Sequence, residues 1–236
     1  MADKLLITSG KGGTGKSTIA VNLGVLLAKK GYRVLLIDAD QGHGSLDLYL
    51  GVQNDCIYNF QDVSEGLCTI AQGLIDTEFQ GLKLMSASPD EEDILFDAKV
   101  NRVLNAAFEY IIIDAPSSHS KIKELFEISD RMVIVSTCDY ASIRACDRLD
   151  MMAHDAGITD TICVLNKARS DLMGENGYPT FDEVRELMKT KVVGVIPYFD
   201  KIELSANNGR PAITSCETMM LSNFVKISER IIGRRF

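Results

Sequence analysis

Continuous apolar runs alternate along the chain with stretches of helical periodicity. Runs without regular polar alternation are typical of strands covered on both faces, as in parallel sheets. Because parallel neighbours need crossover connections, this alternation predicts a series of strand–helix–strand units. The six runs occupy residues 5–7, 34–37, 111–113, 132–135, 162–165 and 192–196.

Three stretches combine helical periodicity with a start signal, a stop signal or a clear apolar stripe. The first ends at residues 29–31, where two lysines and a glycine suit a helix C-terminus. The second begins at Thr180, which has Glu183 three residues later, the spacing of a capping box. The third stripe lies close to the C-terminus, and all three are expected to face the sheet. The expected inward residues are Ile19, Leu23, Leu26 and Leu27; Val184, Leu187 and Met188; and Leu221, Phe224, Val225, Ser228, Ile231 and Ile232.

These elements predict an α/β fold: a doubly wound, mostly parallel sheet with helices on both faces, in three α/β/α layers. A chain of 236 residues that is 46% hydrophobic can bury one substantial core, so we expect a single domain over residues 1–236. Ligands of such sheets bind at the carboxyl ends of the strands. The candidate site residues follow the apolar runs and are expected at that edge.

The net charge, the start of the chain and the cysteine content indicate which partners, which compartment and which state of the thiols to expect. The net charge of −8 gives no overall field that attracts nucleic acid or anionic lipid, so DNA is not an expected partner. The start of the chain lacks the order of a secretory signal and no apolar run approaches a membrane span, which predicts a cytoplasmic protein. The six cysteines form no C-x-x-C pair, so reduced, packed thiols are expected. They are Cys56, Cys68, Cys138, Cys146, Cys163 and Cys216.

Residues 9–18 read SGKGGTGKST and lie between the first strand and the first helix. This is the context that the phosphate-binding P-loop pattern requires. Backbone N–H groups and the helix N-terminus would bind phosphate oxygens, Lys16 would reach the β- and γ-phosphates, and the Ser17 hydroxyl would ligate Mg²⁺. The predicted nucleotide-binding residues of the loop are Gly10, Lys11, Gly12, Gly13, Thr14, Gly15, Lys16, Ser17 and Thr18.

Lys11 is a second cation in this loop and would repel Lys16 unless phosphate charge lay between them. The segment resembles the deviant Walker A motif, K-G-G-x-G-K-[ST]-[ST], of the ParA/MinD family of P-loop ATPases, and within it the MinD-type group; the resemblance runs over nearly the whole chain. It implies a P-loop NTPase fold, slow Mg²⁺-dependent hydrolysis of ATP, and a homodimer in the ATP-bound state. In that dimer Lys11 would contact the phosphates of the facing subunit, so Lys11 and Lys16 are both expected to be catalytic.

Three aspartates follow the second and third apolar runs. Asp38 and Asp40 are two residues apart, which would put both carboxylates on one face of an extended strand end. The resemblance implies that Asp38 lies near Mg²⁺ and its waters and that Asp40, as a catalytic residue, positions the attacking water. Asp114 fits a Walker B aspartate. Ser17, Asp38 and Asp114 are therefore the expected metal-site residues, although aspartates also end strands simply as turn residues.

Two loops depart from the family pattern. Residues 42–47 read GHGSLD, whereas MinD-type relatives commonly have G-L-R-N-L-D. Residues 114–119 read DAPSSH, whereas relatives usually have D-x-P-A-G. His43 and His119 are either solvated side chains or replacements for the missing interface residues.

Two later strand ends carry the candidate base contacts. Asn166 offers an amide donor and acceptor to an adenine edge. Pro197 lies in a segment similar to the family's I-P segment, whose backbone lines the adenine. Arg169 stands where the guanine-selective N-K-x-D motif has aspartate, so ATP is the expected nucleotide.

The C-terminus leaves membrane contact open. MinD-type relatives continue into an amphipathic, membrane-inserting segment, whereas only residues 233–236 follow the last predicted helix here. Either membrane binding has been lost, or a partner supplies it, or the chain has been shortened. A weak contact of the Arg-Arg-Phe tail with anionic lipid would make the protein peripheral.

The favoured hypothesis is an ATP-dependent dimerisation switch that positions a cellular partner, such as the septum machinery, together with a regulatory protein. One alternative is a ParA-type ATPase that partitions DNA or positions flagellar or pilus cargo. A second is an iron–sulfur reductase, which would need cysteines that bridge a dimer. The third is a metabolic P-loop kinase with a substrate lid and no role for Lys11.

Overall fold

The computed structural model describes residues 1–41, 44–86, 88, 98–116, 122–175, 177–215 and 218–233. Its strands are β1 (Asp3–Thr8), β2 (Val34–Asp38), β3 (Ile75–Asp76), β4 (Leu82–Met85), β5 (Tyr110–Asp114), β6 (Arg131–Ser136), β7 (Thr161–Ala168) and β8 (Val192–Pro197). Its helices are α1 (Lys16–Lys29), α2 (Leu46–Leu50), α3 (Phe60–Ser64), α4 (Ile70–Gly73), α5 (Ala98–Ala107), α6 (Ile122–Glu127), α7 (Tyr140–Asp155), α8 (Phe181–Leu187), α9 (Asp200–Asn207), α10 (Ala212–Ser215) and α11 (Thr218–Ile232).

The described strands form one sheet in the order β3-β4-β2-β5-β1-β6-β7-β8. Every pair is parallel except β3–β4 at one edge, which is antiparallel. The strand order reverses at β1, which lies between β5 and β6. All six predicted strands and the doubly wound, mostly parallel sheet are confirmed, and the reversal puts the ligand-binding crevice at the carboxyl end of β1.

Two hydrophobic clusters cover the two faces of the sheet, because successive side chains of a strand point to opposite sides. Leu5 and Ile7 pack with residues of α1, α10 and α11. Leu6 packs with residues of α5, α6 and α7 on the other face. The predicted arrangement in three layers follows from this alternation.

The periodicity of helix α1 predicted one buried face, whereas the structure buries the helix on all sides. Residues 19–28 are all buried because α10 and α11 cover the side of α1 that faces away from the sheet. The polar side chain in this stretch is satisfied: Asn22 Nδ2 donates to Thr18 O (2.7 Å), and its Oδ1 accepts from Ile213 N (2.9 Å). Asn22 therefore ties the phosphate-loop helix to α10.

Two expectations about local structure are incomplete or wrong. Strands β3 and β4 were not predicted. Half-buried Lys83 interrupts the apolar pattern of β4, and β3 is only two residues long.

The capping box at Thr180 is confirmed, with Thr180 N donating to Glu183 Oε2 (2.7 Å). Leu187, however, is 46% exposed and does not face inward, because α8 ends there and Val184 provides the buried contact.

Helix α11 packs beside β8 and α1, as the C-terminal stripe predicts. Phe224, Ser228 and Ile231 are buried, and Ile227, which the stripe did not include, is buried as well. At its end, Arg131 Nη1 donates to Ile231 O (3.0 Å). Residues 234–236 lie outside the described residues. Across the part of the chain that the structure describes, no helix combines the length and apolar character needed to cross a membrane.

Candidate functional site

The loop between β1 and α1 has a backbone that only small residues allow. Gly15 adopts φ +94°, and an added Cβ there would lie 2.3 Å from Asn166 Nδ2. Gly10 packs so closely on α7 that an added Cβ would lie 2.4 Å from Ala145 Cβ. Within the described residues no side chain caps the N-terminus of α1, so its first N–H groups face the loop and can bind an anion.

Lys16, Ser17 and Asp114 come together at the start of α1 and the end of β5. Lys16 is 6% exposed. Ser17 Oγ donates to Asp114 Oδ2 at 2.6 Å. Asp114 Oδ1 is buried and has no hydrogen-bond partner among the described residues. A hydroxyl beside a carboxylate with an unused oxygen is a donor set that suits Mg²⁺, which takes one or two carboxylates and completes its shell with waters and phosphate oxygens.

Asp38 lies beside Asp114, since the register of β2 and β5 pairs the two residues. Its carboxylate accepts from Ser45 N (2.8 Å), Leu46 N (3.0 Å) and Asp40 N (3.1 Å). Burial, followed by the charge of Asp38, raises the pKa of Asp114 despite the Ser17 hydrogen bond. Burial also raises the pKa of Asp38, against the effect of its backbone hydrogen bonds. Two like charges in a buried place would be stabilised by a cation between them.

Asp40 lies two residues beyond the end of β2, so the regular strand stops at Asp38, before it reaches the second of these carboxylates. The chain follows β5 for one more residue, since Ala39 N donates to Asp114 O (2.9 Å), and Asp40 N donates to Asp38 Oδ1 (3.1 Å). Asp40 nevertheless lines the same cavity as Lys16 and Ser17. The structure thus brings the three predicted aspartates to the same edge of the sheet.

A cavity of about 340 Å³ opens from the phosphate loop toward α9. The predicted residues Asn166 and Pro197 lie on its wall, and Asn166 Nδ2 donates to Thr14 O at 2.8 Å. Asn166 therefore already braces the phosphate loop, in addition to its predicted contact with adenine. The cavity is lined by Gly13, Gly15, Lys16, Ser17, Thr18, Asp40, Tyr49, Asn166, Lys167, Pro197, Tyr198, Phe199, Ile202, Glu203, Ala206 and Asn207.

Lys11 lies outside this cavity, on a neighbouring groove of about 300 Å³ that Gly12, Gly13 and Thr14 also line. Its Nζ is 3.6 Å from Asp139 Oδ1, and its side chain is 55% exposed. An exposed ion pair of this length contributes little stability. Lys11 therefore points away from the cavity of its own subunit and is held only loosely.

Several residues at the site were not predicted. Asp139, the partner of Lys11, caps α7 by accepting from Ser142 N (3.0 Å), a role any helix-capping aspartate can have. Lys167 and Glu203 line the cavity from β7 and α9. The sequence carried one usable signal, since Lys167 directly follows Asn166 at a strand end. His43 and His119 lie outside the described residues, as do residue 42 of the first departing loop and residues 117–118 of the second.

Comparison with known proteins places this geometry in a family. The family model described as "CobQ/CobB/MinD/ParA nucleotide binding domain" matches residues 5–212. The septum site-determining protein MinD of Bacillus subtilis (strain 168) is 32% identical over 241 residues, covering 99% of this chain and 90% of that protein.

Solved structures agree with this placement. MinD in the MinC:MinD cell division protein complex of Aquifex aeolicus has a TM-score of 0.87 at 26% identity, covering 100% of this chain and 98% of the other. The cell division ATPase MinD of Pyrococcus furiosus has a TM-score of 0.86 at 26% identity, covering 99% of each chain. The phosphate loop, the paired strand-end aspartates and these similarities agree: the chain belongs to the CobQ/CobB/MinD/ParA nucleotide binding domain family.

Proposed function

We propose that the protein is a MinD-type ATPase that dimerises when it binds ATP and Mg²⁺ and, through slow hydrolysis, controls where a cell-division partner acts. The observation that carries the proposal is the contact of Ser17 with Asp114 beside buried Lys16, at the head of an uncapped helix. This arrangement can bind a metal–triphosphate and has no evident use in a purely structural loop. The names of the similar proteins support the same assignment.

Different residues of the site would bind different parts of the metal–nucleotide complex. Lys16 and the N–H groups at the start of α1 would bind the phosphate oxygens. Ser17, Asp114 and Asp38 would hold Mg²⁺ and its waters, and the unused Asp114 Oδ1 fits a hydrogen bond to such a water. Mg²⁺ bound there would neutralise charge on the phosphates. Apolar side chains of Phe199 and Ile202, with Asn166, would receive adenine.

The in-trans role of Lys11 is part of the proposal. Lys11 is loosely paired and lies on the face beside the nucleotide cavity. In a face-to-face dimer it would leave Asp139 and bind the phosphates of the facing subunit, stabilising charge as hydrolysis proceeds. ATP then favours the closed dimer, because its γ-phosphate gives Lys11 a partner that ADP does not.

A regulatory protein is the proposed partner. The similar MinD of Aquifex aeolicus was solved in complex with MinC, which supports a protein partner of that kind. DNA partitioning of ParA type would use the same nucleotide site, but the net charge of −8 opposes DNA binding. The iron–sulfur alternative is opposed by burial, since Cys138, Cys146 and Cys163 lie in the core.

Substituting Asp40 tests the hydrolytic step. Asp40→Ala should bind ATP normally, because the carboxylate is not needed for phosphate contact, but its turnover should fall on the order of 100-fold or more through loss of the group that positions water. Steady-state phosphate release with Mg²⁺, compared with excess EDTA, measures this in wild type and variant. Asp47→Ala on α2, outside the cavity lining, is the control and should hydrolyse ATP like wild type. Equal turnover in Asp40→Ala and wild type would remove Asp40 from the mechanism.

A further inference from the structure

Lys167 has an unusual backbone conformation. Its φ is +53°, and among the described residues it is the only non-glycine residue with positive φ. The pairing of β7 with β8 is irregular over the same segment, between Leu165 and Ala168. A left-handed conformation is unfavourable for a side chain such as lysine and persists only where the surroundings impose it, often at a functional site.

Two anchors impose this conformation. On one side, buried Asn166 donates to Thr14 O in the phosphate loop. On the other side, Tyr198 N donates to Ala168 O at 2.9 Å, which fixes the chain to the end of β8. Lys167 is held between them, with its side chain directed across to α9. There its Nζ lies 3.0 Å from Glu203 Oε1.

The ion pair joins two walls of the nucleotide cavity. Lys167 and Glu203 both line it. Lys167 follows Asn166, which contacts the phosphate loop, and Glu203 lies on α9 next to Ile202. The side chains are 35% and 53% exposed, which places the pair on the solvent side of the cavity rather than at its base. We name this pair the Lys167–Glu203 strap.

We propose that the Lys167–Glu203 strap gates the cavity: it must open for a nucleotide to enter or to leave. The proposal rests on the proposed function, since it requires a nucleotide in this cavity. The strap acts by blocking the path and makes no contact with the phosphates. It therefore slows association and dissociation by the same factor and leaves the equilibrium affinity unchanged.

The test is stopped-flow kinetics of a fluorescent ATP analogue with Mg²⁺, with association and chase experiments on wild type, Lys167→Ala and Glu203→Gln. The free energy needed to break an exposed ion pair is enough to slow opening about two- to fivefold. Both kon and koff should therefore rise by that factor in each variant, while Kd stays within about twofold. The double variant should be no faster than either single one, because both remove the same interaction. Lys167→Arg, which keeps the ion pair, should restore the slow rates.

A matched ion pair serves as the control. Lys30 Nζ lies 3.5 Å from Glu229 Oε1, with side-chain exposures of 32% and 57%, at the opposite end of α1 from the phosphate loop. Lys30→Ala should leave both rate constants at wild-type values. Raising the salt concentration should narrow the difference in both rate constants between wild type and Lys167→Ala, because salt screens the exposed ion pair, whereas its effect on phosphate binding is shared by the two proteins.

Unchanged rates in Lys167→Ala would overturn the gate. A rise in koff alone, with weaker affinity, would also overturn it, because Lys167 would then be a direct contact of the nucleotide. Failure of wild type to bind the analogue at all would instead contradict the proposed function, so the two failures are distinguishable.

Discussion

Lys16→Ala is expected to abolish measurable ATP binding. Lys16 is buried at the head of α1, where its ammonium group would bind two phosphates. Hydrogen bonds that involve a charged group are worth about 1.5–3 kcal/mol each, so losing two should weaken ATP affinity by at least about 100-fold. Isothermal titration calorimetry with Mg²⁺ and ATP measures the change directly.

The control for Lys16 lies on the same helix. Lys29 is exposed in the last turn of α1, so Lys29→Ala should bind ATP like wild type. Thermal unfolding should show that Lys16→Ala remains folded, because the substitution removes a charge from the interior rather than an apolar contact. A folded Lys16→Ala protein with wild-type affinity would show that the loop is not the phosphate site.

Lys11→Ala is expected to separate binding from turnover. Lys11 is half exposed and its ion pair with Asp139 is 3.6 Å long, so its loss should change ATP affinity in the monomer by less than about threefold. Turnover should fall by at least about 100-fold, the usual effect of removing one group that stabilises transition-state charge. ATP-dependent dimerisation should be lost as well. Phosphate release and light scattering measure the two effects.

Mixing two inactive variants tests whether Lys11 acts across the dimer. In a heterodimer of Lys11→Ala and Asp40→Ala, one site combines an intact Asp40 with Lys11 from the other subunit. Since each heterodimer has one complete site of two, an equal mixture should recover turnover above that of either variant alone, up to about half of wild type if every dimer is a heterodimer. Asp139→Asn, which keeps Lys11 and a capping side chain, should remain active. Full turnover in monomeric Lys11→Ala would contradict the in-trans role.

The sheet could be predicted from sequence because its central strands are buried on both faces. Runs such as residues 111–113 admit few other interpretations, and the parallel order followed from the alternation with helices. Strand β4 was not predicted, because Lys83 lies half-buried near the sheet edge and interrupts the apolar run of that strand. The register that pairs Asp38 with Asp114 was not visible, since neither spacing nor composition encodes which strands are neighbours.

The phosphate loop was predictable because its chemistry is local: glycines, Lys16 and Ser17 are consecutive in the chain. The rest of the site depends on contacts between distant segments. Asp139 is 128 positions from Lys11, and Glu203 is 36 positions from Lys167. The left-handed conformation of Lys167 depends on anchors at Thr14 and Tyr198, so no local pattern could indicate it.

The dimer switch is tested most directly by the mass of the protein in solution with each nucleotide. Light scattering coupled to size exclusion should give the monomer mass of 26.0 kDa with Mg²⁺ and ADP, and twice that mass with Mg²⁺ and ATP. Lys11→Ala should remain a monomer with both nucleotides. A wild-type protein that binds ATP yet keeps the monomer mass with both nucleotides would contradict the account.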